Sequence, residues 1–127
     1  MSSSRELIES VYQSFNARDI PAVLARMHPN VDWPNGMEGG RVVGHSNVRD
    51  YWERQWQVVD PRVEPVRIEE DESGRIVVTV HQVVRDMSGK VLLDRDVQHI
   101  YLLEDGLIRS MEIRELSPNL SSARGGN

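Results

Sequence analysis

The stretch "VVTVHQVVRDMSGKVLLDRDVQHIYLLEDGLIRSMEIRE", Val77 to Glu115, decides the fold of this chain. Runs rich in β-branched and aromatic residues are broken by "SG" at 88 and 89 and by "DG" at 105 and 106, which predicts three antiparallel strands joined by tight turns. Strand residues alternate between faces, so Val77, Thr79, His81, Val83 and Arg85 share one side, and Val78, Val80, Gln82 and Val84 the other. If both turns hold two residues, His81 stands opposite Asp96, Thr79 opposite Gln98 and Val77 opposite Ile100. Across the second turn Ile100 then meets Met111, Gln98 meets Ile113 and Asp96 meets Glu115. The face carrying His81 therefore grades from charged to apolar along its length, as a pocket with a wet mouth and a greasy floor requires. A β-bulge in either hairpin would shift this register by one and exchange the faces.

Working outward, "ESG" at 72–74 precedes the first of these strands, and a further strand is expected at about 63–70. In "SSRELIESVYQSFNARD" the apolar residues Leu7, Ile8, Val11, Tyr12 and Phe15 recur at helical spacing, and Ser3 with Glu6 fits a capping box. A second helix is expected in "DIPAVLARMHP", capped by Asp19, with Pro21 in its first turn and Pro29 as its stop. "NVDWP" reads as a short strand running into the Gly-rich loop "NGMEGGRVVGHS". Ser46 then opens a third helix with Val48, Tyr51, Trp52, Gln55, Trp56 and Val59 on one stripe. The segment 117–127 is expected to be a disordered tail behind one domain of residues 1–116.

The chain has 127 residues, 28% of them charged, with a formal net charge of −5 and no cysteine. One domain is expected at this length. An acidic surface without basic clusters disfavours nucleic acid and anionic lipid. No apolar run approaches a membrane span and "MSSSRELIES" lacks the regions of a signal peptide, so a cytoplasmic protein is expected. The lack of cysteine removes disulfides, thiolate nucleophiles and Cys-type zinc sites.

The order helix, helix, short strand, Gly-rich loop, helix and four-stranded meander resembles the SnoaL-like and ketosteroid-isomerase-like proteins of the nuclear transport factor 2 superfamily. The segments that carry the resemblance are "VYQSFNARDIPAVLARMHPNVDWP", "VVGHSNVRDYW" and "HIYLLEDGLIRSMEI". The resemblance implies an α+β fold: a cone-shaped barrel in which a strongly curved antiparallel sheet, mixed at the short strand, packs on three helices and leaves one open pocket. It also puts the His81 face on the concave side. The opposite face, with Val78, Val80, Val84, Val97, His99 and Tyr101, is too apolar for open water and becomes the expected homodimer interface on the convex side.

On this reading His81 is a neutral-pH base oriented by Asp96, with Tyr12 or Gln98 as hydrogen-bond donors to a substrate oxygen. Expected substrate contacts are Phe15, Trp33, Trp52, Trp56, Thr79, Val83, Arg85, Ile100, Met111, Ile113 and Glu115, with Trp33, Tyr51, Trp52 and Trp56 as an aromatic wall or simply core. His28 and His45 are read as surface or capping residues, and neither a metal nor a cofactor is expected. Carrying over ketosteroid isomerase positions gives Tyr12 for its tyrosine, Trp33 for its base and Gln98 for its protonated acid. The cyclase base of SnoaL-type proteins falls on Ile113. Two of the three isomerase positions therefore depart, which argues against that mechanism. The expected function is acid–base catalysis of isomerase, lyase or hydrolase type on a partly apolar cyclic or aromatic compound. The alternative is a noncatalytic ligand-binding or dimeric interaction module of the same fold.

Overall fold

The computed structural model describes residues 4–116. The expected disordered tail at 117–127, and Ser3 of the expected capping box, lie outside the described residues. Helix α1, Ser4–Asn16, buries Ile8, Val11 and Tyr12, three positions at helical spacing on one stripe. Its last residue holds strand β3, Val59–Glu70: the Asn16 amide donates to Val63 O at 2.7 Å and accepts from Val63 N at 3.0 Å. Helix α2, Ile20–Leu24, is capped by Asp19, whose carboxylate accepts from Ala22 N at 3.2 Å. It is shorter than the sequence suggests, because strand β1 already starts at Met27 and runs to Pro34. Pro29, expected to stop a helix, sits inside that strand.

The Gly-rich loop conceals a three-residue strand, β2, Arg41–Val43, paired antiparallel with β1. Gly44, at φ 89°, then turns the chain into helix α3, His45–Val58. A side chain there would have to enter the left-handed region, which only glycine does freely. Val48, Tyr51 and Trp52 are the residues that α3 buries. The meander continues with β4, Ile76–Asp86, β5, Val91–Glu104, and β6, Leu107–Glu115.

The six strands lie in the order β2-β1-β6-β5-β4-β3, with β1 and β6 parallel and the other neighbours antiparallel. The sheet is curved, open at its β2 and β3 edges, and holds the three helices on one side, a cone-shaped α+β fold. Its core joins Ile8, Val11 and Tyr12 of α1, Val23 and Leu24 of α2, Val48, Tyr51 and Trp52 of α3, and a row of strand residues that includes Val78, Val80, Val97 and Tyr101. None of the described helices is long and apolar enough to cross a membrane.

The β4–β5 pairing matches the sequence expectation: His81 opposes Asp96, Thr79 opposes Gln98 and Val77 opposes Ile100. The route to it differs. Asp86 N bonds to Lys90 O at 2.8 Å across a longer loop with Gly89 at φ 97°, and a register shift between Val84 and Arg85 restores the expected pairs. In the β5–β6 hairpin the turn is the one expected, with Asp105 at φ 56° and Gly106 at φ 76°, and Glu104 pairs with Leu107. A bulge between Leu102 and Leu103 then moves everything beyond it by one residue. Tyr101 opposes Met111, His99 opposes Ile113 and Val97 opposes Glu115, replacing the expected pairs Ile100–Met111, Gln98–Ile113 and Asp96–Glu115.

Candidate functional site

The bulge decides which face is inside. It puts Met111 and Ile113 on the side of His99 and Tyr101, and that side packs on the helices. Val78 and Val80 are 0% exposed, Tyr101 and Val97 1%, and His99 6%, so the row expected at a convex dimer interface is core within a single chain, with Val84 beside it on the cavity wall. The physical reason is plain: a row this apolar is buried by the chain's own helices before any partner is needed.

Between helices and sheet lies a cavity of about 250 Å³. α1 and α3 supply Phe15, Tyr51, Trp52 and Gln55. β1 and the loop after it supply Trp33, Pro34, Gly36 and Met37, and the sheet supplies Val59, Pro61, Val63, Gln82, Val84, Leu93, Arg95, His99, Met111 and Ile113. Behind it an apolar recess of about 50 Å³ ends at Val11, Tyr12, Val23 and Tyr101, sharing Phe15, Trp33, Trp52, Val63 and His99 with the main cavity. A larger depression of about 590 Å³ follows the α1–β3 groove past Glu9, Gln13, Asn16, Arg62 and Glu64. Its walls are mostly charged and polar side chains, so the cavity lined by aromatic and apolar side chains is the candidate site.

The aromatic wall is an edge-and-stack cluster. Trp33 meets Trp52 edge-on at 5.7 Å between centroids, Phe15 meets Trp52 at 5.5 Å, and Trp56 stacks on Trp52 at 5.8 Å. Trp56 forms the back of the cluster, under the Arg18 guanidinium at 4.8 Å, and does not line the cavity. Arg18 also pairs with Asp60.

At the inner end three buried polar groups form a chain. Tyr101 OH donates to Tyr12 OH at 2.8 Å, and Tyr12 OH lies 2.7 Å from His99 Nδ1, with the Tyr12 and His99 rings stacked at 5.9 Å. With Tyr101 donating to Tyr12, the Tyr12 proton is free to go to Nδ1, and in that tautomer His99 carries its own proton on Nε2. Burial, and secondarily the charge of Arg95, lowers the His99 pKa to about 4, so the ring is neutral at pH 7. Burial raises both tyrosines, Tyr12 with a further contribution from Tyr101.

Two more polar groups stand on α3. Tyr51 OH accepts from Met37 N at 3.2 Å and from Gln55 Nε2 at 3.1 Å, and among the described residues its proton has no acceptor and the buried Gln55 Oε1 has no hydrogen-bond partner. The loop above them is latched to α3: Glu38 accepts from Arg54 Nε at 3.0 Å and NH2 at 2.8 Å, and from Asn35 Nδ2 at 2.9 Å. Those donors, Arg54 first, hold the Glu38 carboxyl down at about 2.

The profile of the SnoaL-like domain matches residues 8–111. The chain belongs to the SnoaL-like domain family. Among solved structures, TerC crystallised with polyporic acid is 29% identical, with a TM-score of 0.76 over 88% of this chain and 90% of that one. A protein of the nuclear transport factor 2-like class, of unknown function, from Burkholderia pseudomallei is 27% identical, with a TM-score of 0.78 over 94% and 95%. A putative polyketide cyclase from Sinorhizobium meliloti, 16% identical with a TM-score of 0.73 over 86% and 94%, shares the fold. No curated protein matches the chain.

In this SnoaL-like domain Phe15, Trp33, Trp52, Met111 and Ile113 line the cavity and Tyr12 closes its recess. The other expected site residues lie elsewhere. His81 and Asp96 are neighbours, with Nδ1 to Oδ1 at 2.8 Å and Nε2 to Asp94 Oδ1 at 3.1 Å, but on the outer face of the sheet, where His81 is 45% exposed. Thr79, Val83, Arg85, Gln98 and Ile100 share that outer face. Gln98, expected as a hydrogen-bond donor in the pocket, accepts from Arg114 instead. Glu115 follows the bulge to the inner side but reaches only the rim, where it pairs with Arg95 at 3.1 Å. Asp32 points away from the cavity and bonds to Arg41 at 2.6 Å. His45 bonds to Met27 O at 2.9 Å and His28 to Asn30 N at 3.0 Å, both outside the cavity.

The residues missed as site candidates are His99, Tyr101, Gln82, Gln55 and Arg95. A signal was available for the first two. His99 alternates with Val97 and Tyr101 in the most apolar row of the meander, and a histidine in such a row needs a buried hydrogen-bond partner, which Tyr12 can supply.

Proposed function

We propose that this chain binds a small, partly apolar cyclic or aromatic molecule in the cavity, and that His99 Nε2–H donates a hydrogen bond to an oxygen of that molecule. The observation that carries the reading is the buried chain Tyr101, Tyr12, His99, which, with the His99 proton on Nε2, presents a neutral donor from the cavity wall. A donor fixed in a low-dielectric site stabilises negative charge that grows on a carbonyl oxygen, the requirement of isomerase, lyase and many hydrolase reactions. Tyr12 then acts through His99, fixing its tautomer. TerC, which was crystallised with polyporic acid, supports a ligand of this general kind.

One observation favours the alternative, a noncatalytic binding module. No aspartate or glutamate lines the cavity, so among the described residues there is no carboxylate to take a proton from carbon.

The test is a thermal-shift and calorimetric screen with polyporic acid, cyclic ketones, lactones and simple aromatics. A binder at 100 times its Kd adds about 2.7 kcal/mol to stability. His99→Phe, which keeps an aromatic ring but removes the donor, should weaken a carbonyl-bearing binder by about tenfold, the scale of one buried hydrogen bond. A screen without binders, or binding indifferent to His99→Phe, rejects the proposal. Turnover of a binder, followed by mass spectrometry, separates the enzyme from the binding module.

A further inference from the structure

The cavity wall has a charge pattern unlike the rest of the molecule. The chain carries 20 acidic and 15 basic residues, yet among the described residues lining the cavity the one formal charge is Arg95, and none is negative. Arg95 spends Nε on Gln82 Oε1 at 3.2 Å and NH1 on Glu115 Oε2 at 3.1 Å. A guanidinium has five N–H groups, so donors remain, and because Gln82 uses its oxygen on Arg95 its amide N–H₂ remains too. Both residues line the cavity, and both are on the sheet wall facing Trp52 and Gln55.

Glu115 is not a lining residue. Its side chain is 68% exposed at the rim, and an ion pair so exposed is weak and easily exchanged. His99, the other basic side chain on the wall, is neutral, so Arg95 is the one cationic side chain among the described residues lining the cavity.

We propose that the cavity selects ligands bearing an ionised acid group, which Arg95 and the Gln82 amide hold while the apolar body lies against Trp33, Trp52, Met111 and Ile113, the ligand's acid taking the place of Glu115 on Arg95. This rests on the reading that the cavity binds a small molecule, and it names the chemical class: a carboxylate or an equally acidic enol or phenol on a flat apolar frame. Arginine suits such a group because its planar fork matches two oxygens.

The experiment compares 2-naphthoic acid with 2-acetonaphthone, a neutral ketone on the same frame, by isothermal titration calorimetry at pH 7.5, where the acid is ionised. The acid should bind about tenfold more tightly than the ketone, the scale of a charge-assisted hydrogen bond, and salt should weaken the acid alone. In Arg95→Met the ratio of the two affinities should fall to about two or below, on the same scale. Arg95→Gln, which keeps a hydrogen-bonding side chain at the rim, should do the same if methionine disturbs the strand. Glu115→Gln, which removes the competitor, should tighten the acid by about threefold, the upper range of an exposed pair. Equal binding of acid and ketone, an acid preference that survives both Arg95 variants, or weaker acid binding in Glu115→Gln overturns the inference and leaves the binding cavity standing. If neither compound binds, this inference fails, and the wider screen decides the cavity reading.

Discussion

His99 and His81 sit on neighbouring strands of one hairpin, and the sheet treats them in opposite ways. His99 faces the helices, 6% exposed, hydrogen-bonded to Tyr12 and with a pKa pushed down to about 4. His81 faces solvent between Asp96 and Asp94, and the Asp96 hydrogen bond, with a smaller contribution from the charge of Asp94, pushes it up. From sequence alone His81 is the more natural functional candidate, because a histidine facing a carboxylate is the usual acid–base arrangement. The comparison shows why this misleads: a carboxylate partner is what an exposed histidine can have cheaply, whereas an enclosed one must avoid charge and take a neutral partner. The polar face of a strand is outside even when its polar groups are well matched.

The difference hangs on one register, and shifting it by a residue should give the largest effect. Arg109 is the extra residue of the β5–β6 bulge, since Leu103 pairs with Ile108 and Leu102 with Ser110. Deleting it would make the hairpin regular and leave Tyr101 opposite Met111, whereas inserting one alanine after Ser110 would create the pairs Ile100–Met111 and Gln98–Ile113. The insertion would turn Met111 out of the core and bring Glu112 and Arg114 in. Burying unpaired charges costs several kcal/mol each, against a total stability of about 5–15 kcal/mol for a domain. The insertion variant should therefore show no cooperative melt by circular dichroism, while the Arg109 deletion should still melt cooperatively. A melt of the insertion variant near that of the wild type would mean that something other than the β5–β6 register sets the faces.

That bulge also marks the limit of what the sequence shows. The elements, the β4–β5 register and the aromatic cluster follow from local periodicity and turn chemistry, all of them short-range. The β5–β6 register does not, because β6 must also lie parallel to β1, with Met27 opposite Ile108 and Ile108 N bonded to Arg26 O at 2.9 Å. Arg109 is held there by Asn30 O at 2.6 Å. Those partners are about 80 residues upstream, so no window of local pattern contains the constraint. β2 escaped notice for the opposite reason: three residues among glycines leave no period to detect. Phe15, Trp33 and Trp52 were legible as bulk on a stripe. His99 and Arg95 required knowing the face.

The next effect is on stability against pH. The folded His99 pKa of about 4 lies below the unfolded value of about 6.5, so the unfolded chain binds the proton more readily. Its contribution is fully present above pH 6.5 and is lost as pH falls toward 4. At about 1.36 kcal/mol per unit, roughly 3 kcal/mol should disappear over that interval. His99→Gln cannot charge, so its stability by urea unfolding should fall less than that of the wild type between pH 7 and 4, by an amount approaching this figure. Parallel curves would place the histidine in water and dissolve the contrast with His81.

The smallest effect is also the cleanest, because it leaves the fold untouched. His81 is exposed, so solvent screens its two carboxylates and the consequence for global stability is slight. The sign is nonetheless opposite to that of His99. A raised folded pKa means that whatever His81 contributes is complete below about pH 6.5 and fades as pH rises through the folded value. Histidine titration by NMR should therefore find His81 above its reference value and His99 uncharged across the same range. Asp96→Asn should lower the His81 pKa more than Asp94→Asn does, because the Asp96 hydrogen bond is the larger cause. Neither variant should move the pH dependence of stability that His99 produces, since the two histidines lie on opposite faces and share no partner. Should Asp96→Asn change the acid limb of the stability curve as strongly as His99→Gln, the sheet would be coupling its faces, and the division between a solvated outer histidine and an enclosed inner one would fail.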